Sequence, residues 1–245
     1  MDKSYRDRIY KHYLGSIFNT GRDIQNIEKE YKDHFLYFNK NYSRFLPSDK
    51  NARILDAGCG LGHFLFYLNK LGYTNSVGID LSEELVDFCK QKGFHAESSD
   101  FFNYLKNHKN TFDAIVINDV IEHLFKEEIM DLLDIILESL RPNGCVMIKT
   151  PNMANPYTAA SSVYIDFTHE TAFTETSMKE VLAVTNFKKV IVIGTDIYVF
   201  SMNPINHLAK CIAYISFKIY YFRNWLYGRK SLKIFEKDLL AVAYK

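Results

Sequence analysis

The run Ile54-Leu55-Asp56-Ala57-Gly58-Cys59-Gly60-Leu61-Gly62 is the strongest constraint on what this chain can fold into. A short apolar segment ends in an acid, enters a glycine-rich turn and continues into the helical pattern of Gly62–Leu71. Glycines let the backbone adopt positive φ and approach a ligand closely. The helix that follows offers N–H groups with no partner in its own first turn. Strand, tight turn and helix in this order open a βαβ unit, so a parallel sheet with right-handed crossovers is expected.

The pattern repeats downstream. Arg53–Asp56 and Ser76–Asp80 read as strands, and Glu83–Lys92, closed by Gly93, as a helix. Phe94–Glu97 is a third strand and Phe112–Asn118 a buried one. Lys126–Leu140 is a helix stopped by Pro142–Gly144, and Cys145–Thr150 is the next strand. Glu175–Asn186 is a helix, Val190–Phe200 a long β-branched and aromatic strand, Asn206–Tyr227 a long apolar helix and Leu239–Tyr244 a last strand. Before all of these, Ile24–Phe45 carries apolar residues at steps of three and four, one face of a helix ended by Pro47. The chain therefore divides into an N-terminal helical part, 1–50, and an α/β domain, 51–245. In such sheets ligands bind beyond the carboxyl ends of the strands, so the loops after Asp56, Asp80, Glu97, Asn118 and Thr150 should meet at one crevice.

Composition excludes several function classes. The chain has 30 Lys+Arg against 29 Asp+Glu, which is no electrostatic footprint for nucleic acid. Cys59, Cys89, Cys145 and Cys211 stand alone, without zinc-ligand spacing or a disulfide framework. The start MDKSYRDRIYKHY lacks the apolar region of a secretory signal, and no apolar run is long enough to span a membrane. A cytoplasmic protein is expected. Aromatic residues reach 15 %. Either this is background composition or the rings line an acceptor pocket.

Three acids follow three strands. Asp80, 24 residues after Asp56, is placed to accept hydrogen bonds from ribose hydroxyls, or to cap the next helix. Asp100, in Ser98-Ser99-Asp100-Phe101, can accept from an adenine amino group with Phe101 on the ring, or cap the helix at Phe101. A nicotinamide dinucleotide fits less well. Its usual glycine spacing places the third glycine one residue later, and Asp56 would repel a pyrophosphate. An acid there suits a ligand with a cationic amino-acid end.

The run ILDAGCGLG, Asp80 after VGI, SSD at 98–100, and FDAIVINDVIEHL followed by LRPNG resemble class I S-adenosylmethionine-dependent methyltransferases. The resemblance is dense over about residues 50–150. It implies a Rossmann-like seven-stranded sheet with helices on both faces and an antiparallel last strand. It implies that Asp56 and Gly58, Cys59 and Gly60 hold the methionine part, that Asp80 takes the ribose hydroxyls, with Leu81 also at the cofactor, that Asp100 and Phe101 hold the adenine, and that Asn118 and Asp119 lie beside the sulfonium.

An alcohol acceptor benefits from a general base, for which histidine is suited near neutral pH. His123 follows the fourth strand. On a helical turn it would share a face with Asp119 and Glu122, which could hold a divalent ion such as Mg²⁺ or simply start a helix. D-x-x-E-H also resembles a Mg²⁺ site of ubiquinone-pathway O-methyltransferases. His169 lies in a polar loop, where with Glu170 or Asp166 it could form a base and its orienting carboxylate, or simply order the loop. The other histidines, His34 and His63 among them, are expected in helical or surface settings. PNMANPY at 151–157 and DFTHETAFT at 166–174 resemble methyltransferases of bacterial surface-polysaccharide and glycolipid biosynthesis, which implies a sugar, glycan or glycolipid hydroxyl as acceptor. A phenolic or quinone-like acceptor, and a non-catalytic scaffold of the same fold, are the alternatives.

The helix inserted at about 205–228 is apolar on nearly all faces and carries Lys210, Lys218, Arg223, Arg229 and Lys230. A helix apolar all round is normally buried, so it is expected to cover a sheet edge or form a homodimer interface. The alternative is a peripheral contact with the inner face of a membrane. Tyr10, Tyr13 and Arg22 are expected in a lid over the cofactor.

Overall fold

The computed structural model describes residues 26–200, 202–229 and 232–245, with Tyr5 and Ile9. Tyr10, Tyr13 and Arg22 lie outside the described residues.

From Ile27 onward the described elements are α1 (Ile27–Tyr42) and a single 3₁₀ turn, then β1 (Ile54–Ala57), α2 (His63–Lys70), β2 (Ser76–Asp80), α3 (Glu83–Gln91), β3 (Ala96–Ser98), α4 (Phe101–Lys106) and β4 (Phe112–Asn118). There follow α5 (Lys126–Ser139), β5 (Leu140–Pro151), α6 (Ala159–Tyr164), α7 (Glu175–Val184), β6 (Lys189–Gly194), α8 (Pro204–Leu226) and β7 (Asp238–Tyr244). The sheet order is β3-β2-β1-β4-β5-β7-β6. Strands β1 to β5 are parallel, and β7 runs antiparallel to both β5 and β6. This is the Rossmann-like arrangement the motifs implied. Because β1 pairs with β2 on one side and β4 on the other, the order reverses there and a crevice opens above their carboxyl ends.

Both faces of the sheet are covered. Ile115 and Ile117 of β4 enter one core with Leu132 and Ile136 of α5. Ala114 and Val116 point the other way, into a core with Phe64 and Tyr67 of α2 and Phe38 of α1. Burial on both sides explains why FDAIVIN is almost continuously apolar. Many of the aromatic residues serve this second core. Phe38 meets Phe64 edge-on at 4.9 Å and Phe35 meets Tyr67 at 5.4 Å, while in a smaller cluster with Ile27, Leu61 and Leu85 Tyr31 stacks on Phe66 at 4.7 Å. Such ring pairs add about 0.5–1.5 kcal/mol each beyond their burial. They fix α1 as a wall of the molecule rather than a loose flap.

Four local expectations need correction. Strand β5 has 12 residues and starts at Leu140, so Pro142–Gly144 is no stop. The pairing shifts register between Phe112 and Ala114, and this irregularity absorbs the Arg-Pro-Asn-Gly residues. Strand β3 lies at Ala96–Ser98, starting two residues and ending one residue later than its apolar pattern indicated. Strand β6 ends at Gly194, not Phe200. Beyond it the side chain of Asn41 binds both main-chain groups of Asp196, Nδ2 to the carbonyl at 3.0 Å and Oδ1 from the amide at 2.8 Å. The segment is thereby drawn off the sheet toward α1, although its composition suits a strand. Finally, α8 is not buried. Asn224 is its only buried residue, and its inner face rests on Phe235 through Phe217 and Tyr220. Among the described residues no helix is long and apolar enough to cross a membrane.

Candidate active site

A cleft of about 740 Å³ opens above the carboxyl ends of β1, β2 and β4, within the ~300–1,000 Å³ common for small-molecule sites. Asp56, Gly58, Cys59, Gly60, Asp80, Leu81, Asp100, Phe101 and Asn118, all nine residues expected to hold the cofactor, line it.

The glycine turn is tied to the neighbouring strand. The amides of Gly58 and Cys59 donate to the carbonyl of Ile79 at 2.8 and 3.0 Å, and the Gly60 amide donates to Asp80 Oδ2 at 2.9 Å. Gly58 has φ +79°, and a Cβ there would stand 2.5 Å from Val120 Cγ2. Only glycine fits that position.

The three acids differ in setting. Asp56 is 2 % exposed, and burial, reinforced by the charge of Asp80, pushes its carboxyl up to about 8. Asp80 is also raised by burial, against the pull of backbone hydrogen bonds from Ser82 and Gly60. Its Oδ1 accepts from the Ser82 amide at 3.0 Å, while Ser82 itself caps α3. Asp100 caps α4, its Oδ1 accepting from the Asn103 amide at 2.9 Å, and still faces the cleft. Capping and lining are thus compatible, since a carboxylate has lone pairs for both. Leu81 is an exposed apolar side chain on the cleft wall. Asn118 is held by Tyr42, whose hydroxyl donates to its Oδ1 at 2.6 Å.

The cleft is also lined by α1, through Asp33, His34 and Tyr37, and by His123, Lys149, Phe200 and Asp238; His34 stands beside His63 at the start of α2, their ring centroids 4.3 Å apart. His123 is mostly buried, which lowers its pKa below the ordinary histidine range, and the neighbouring His169 acts in the same direction. Its Nδ1 lies 2.7 Å from Thr168 Oγ1. That hydroxyl donates to Asp166 Oδ1 at 2.7 Å, so the lone pair facing His123 accepts and Nδ1 carries the proton. In that neutral tautomer Nε2 is the unprotonated ring nitrogen.

The expected set Asp119, Glu122 and His123 is not brought together. Asp119 has φ +54°, outside any helix, and its carboxylate pairs with Lys149 Nζ at 2.5 Å. The shared helical face does not form because only Ile121–His123 make a 3₁₀ turn. His169 is also displaced from its expected place. Its Nδ1 bonds the Ser162 carbonyl at 2.7 Å, and it lines a separate cavity of about 30 Å³ with Glu122 and Thr150. Asp166 orients His123 through Thr168 rather than His169. Sequence reading missed His34, His63, Tyr37, Lys149 and Asp238 as cleft residues. A lone lysine in the apolar strand Val146-Met147-Ile148-Lys149 was the available signal for one of them.

A family model described as a methyltransferase domain matches residues 30–192. The chain belongs to the methyltransferase domain family. Phosphoethanolamine N-methyltransferase 3 of Arabidopsis thaliana is 26 % identical over 167 residues, covering 62 % of this chain and 34 % of the relative. This methyltransferase domain thus spans about a third of that protein's length. EEF1A lysine methyltransferase 2 of Danio rerio is 29 % identical over 166 residues, 61 % of this chain and 68 % of that one. A solved SAM-dependent methyltransferase from Archaeoglobus fulgidus superposes with a TM-score of 0.60 at 21 % identity, covering 99 % of this chain and all of that one. This last likeness establishes the fold.

Metal binding in this methyltransferase domain gains no support from the expected residues. Among the described residues, the group able to share an ion is Glu122, His123 and His169, with ligand atoms within 4.8 Å of one another. Two imidazoles and one carboxylate are a nitrogen-rich set, whereas Mg²⁺ requires oxygen ligands. Burial also pushes Glu122 up to about 8, which favours its neutral form, and Asp119 adds to the shift. The residues do not fit Mg²⁺.

Proposed function

We propose that this chain is an S-adenosylmethionine-dependent O-methyltransferase acting on a hydroxyl of a sugar or glycan. The observation that carries the cofactor reading is the convergence of Asp56, Asp80 and Asp100 with the glycine turn on one cleft. The fit is chemical. Asp56 faces a cationic amino-acid end, Asp80 keeps acceptor capacity for ribose hydroxyls, and Leu81 and Phe101 offer apolar surface to a purine. When bound, S-adenosylmethionine supplies a methyl group on a sulfonium, open to in-line displacement. The protein's work is then alignment and exclusion of water.

For the acceptor, His123 Nε2 takes the hydroxyl proton, with Thr168 and Asp166 holding the ring in the required tautomer. Low basicity suits this role, since the ring stays neutral at pH 7. The cleft wall also mixes aromatic faces, Tyr37 and Phe200, with polar groups such as Lys149 and Asp238. That mixture supports a polyhydroxylated ligand. Amine acceptors form the second reading, favoured by the acids Glu30, Asp33 and Asp238 on the cleft wall and by the names of the two relatives.

The test is calorimetry with S-adenosylmethionine and its demethylated product, followed by turnover on sugar-nucleotide, phenolic and primary-amine panels. Binding of both cofactor forms and turnover on the sugar panel is expected. No binding of either at millimolar concentration would refute the cofactor reading and leave the scaffold alternative. Turnover confined to phenols or amines would replace the acceptor.

A further inference from the structure

Helix α8 has two apolar faces, and the body of the protein uses one. Leu208, Ile212, Ile215, Ile219, Phe222 and Leu226 recur at steps of three and four and form a straight stripe. Each is between 57 % and 61 % exposed. Phe217, Tyr220 and Asn224, on the opposite side, make the contacts with the body. The helix has 23 residues, about 35 Å, so the stripe is a long uncovered surface. Patches of this extent mark interaction sites.

The charges decide the occupant. From Ile197 to Phe235 the sequence contains six Lys and Arg residues and no Asp or Glu. Lys218 and Arg223 border the stripe, one on each side. Packing a second copy against it would set these cations beside their own counterparts, with no acid in the segment to answer them. An anionic lipid surface answers them directly, and exposed Tyr214, Trp225 and Tyr227 supply the amphipathic rings that favour a headgroup layer. We propose that α8 lies in the plane of an anionic membrane, its apolar stripe in the headgroup–acyl boundary and Lys218 and Arg223 among the phosphates. The helix hangs from the cleft. Ile197, Val199 and Phe200 before it and Lys237 and Asp238 after it all line the cavity. Docking would therefore hold the cleft at the lipid surface. The proposal goes beyond the methyltransferase reading and does not depend on it.

The experiment is co-sedimentation of the full chain with phosphatidylcholine vesicles, with and without phosphatidylglycerol, alongside light scattering for oligomeric state. Binding is expected to rise with phosphatidylglycerol content and fall with salt. The K218E/R223E variant should weaken binding to the anionic vesicles more than tenfold, at about fivefold per basic residue. The I212S/I215S/I219S variant should abolish it. All five residues are exposed, and an unchanged cooperative melt shows that each variant is folded. Equal binding to both vesicle types, no binding to either, or a dimer that the serine variant breaks and the glutamate variant leaves intact would overturn the proposal.

Discussion

Asp80 Oδ2 accepts a hydrogen bond from the Gly60 amide at 2.9 Å, so the acid ending β2 clasps the turn that follows β1. Its other oxygen is bound to the Ser82 amide at 3.0 Å. One side chain thus shapes the glycine turn and faces the cleft. D80A should weaken binding of the demethylated cofactor about 100-fold or more, since hydrogen bonds to a charged group contribute about 1.5–3 kcal/mol each. D80N, which keeps one acceptor, should lose less. Calorimetry on the two variants checks this, and wild-type affinity in D80A would remove the ribose assignment.

Asp56 makes cofactor affinity depend on pH. In the free protein its carboxyl is raised to about 8, so it is mostly neutral at pH 7. A cationic ligand favours the ionised form. Affinity should rise from pH 6 to 8, by at most tenfold per unit, and level off above 8, while D56N gives a flat profile. Stability runs in the opposite sense. A carboxyl raised on folding contributes stability that is complete below its ordinary value near 4 and is lost as pH rises through about 8. Ligand-free D56N should therefore be more stable than wild type at pH 8, by on the order of a few kcal/mol, and melt at a higher temperature. A wild-type melting temperature for D56N at pH 8 would contradict this account of the buried acid.

His123 and His169 should separate kinetically. H123A is expected to lower kcat by about 10²- to 10⁴-fold and leave cofactor affinity intact. H169A should cost far less, because its ring lies beside the small cavity and not in the cleft wall. The carboxylate of Asp166 raises the pKa of His123, so D166N should move the acid limb of the kcat profile to lower pH. An unmoved limb would sever Asp166 from the base. Comparable losses in both alanine variants would return the role to the pair.

The glycines of the turn are not equivalent. G58A places a methyl group 2.5 Å from Val120 Cγ2 at φ +79° and should abolish cofactor binding. At Gly60, φ is +52° and a Cβ meets nothing within 4 Å. G60A should pay only the left-handed strain of about 1–2 kcal/mol, read as a lower melting temperature with binding retained. Equal loss of binding in both would show that the ligand, not Val120, fills the space above the turn.

What the chain reveals before folding is uneven, for physical reasons. The strand-end side of the cleft was legible because its residues sit where the change from apolar to acidic or glycine marks the cleft directly. Asp56, Asp80 and Asp100 are all of this kind. The rest of the cleft depends on contacts between distant segments. Nothing local shows that Asn41 pulls Asp196 away from the sheet, that Thr168 reaches His123, or that Asp119 turns back to Lys149. The D-x-x-E-H spacing looked helical, and only the positive φ of Asp119 breaks the face. Helix α8 misled in another way, because apolar periodicity reports that a surface needs covering and not what covers it.

Gly194 and Leu239 are ladder partners at the end where β6 and β7 are joined. A tight hairpin would suffice to connect them, and the chain instead spends a long excursion there. The same excursion carries Phe200 and Asp238 of the cleft wall and the exposed helix α8, so exchanging it would alter the pocket's rim and the outer surface in one step, while the strands that carry the glycine turn keep their pairing.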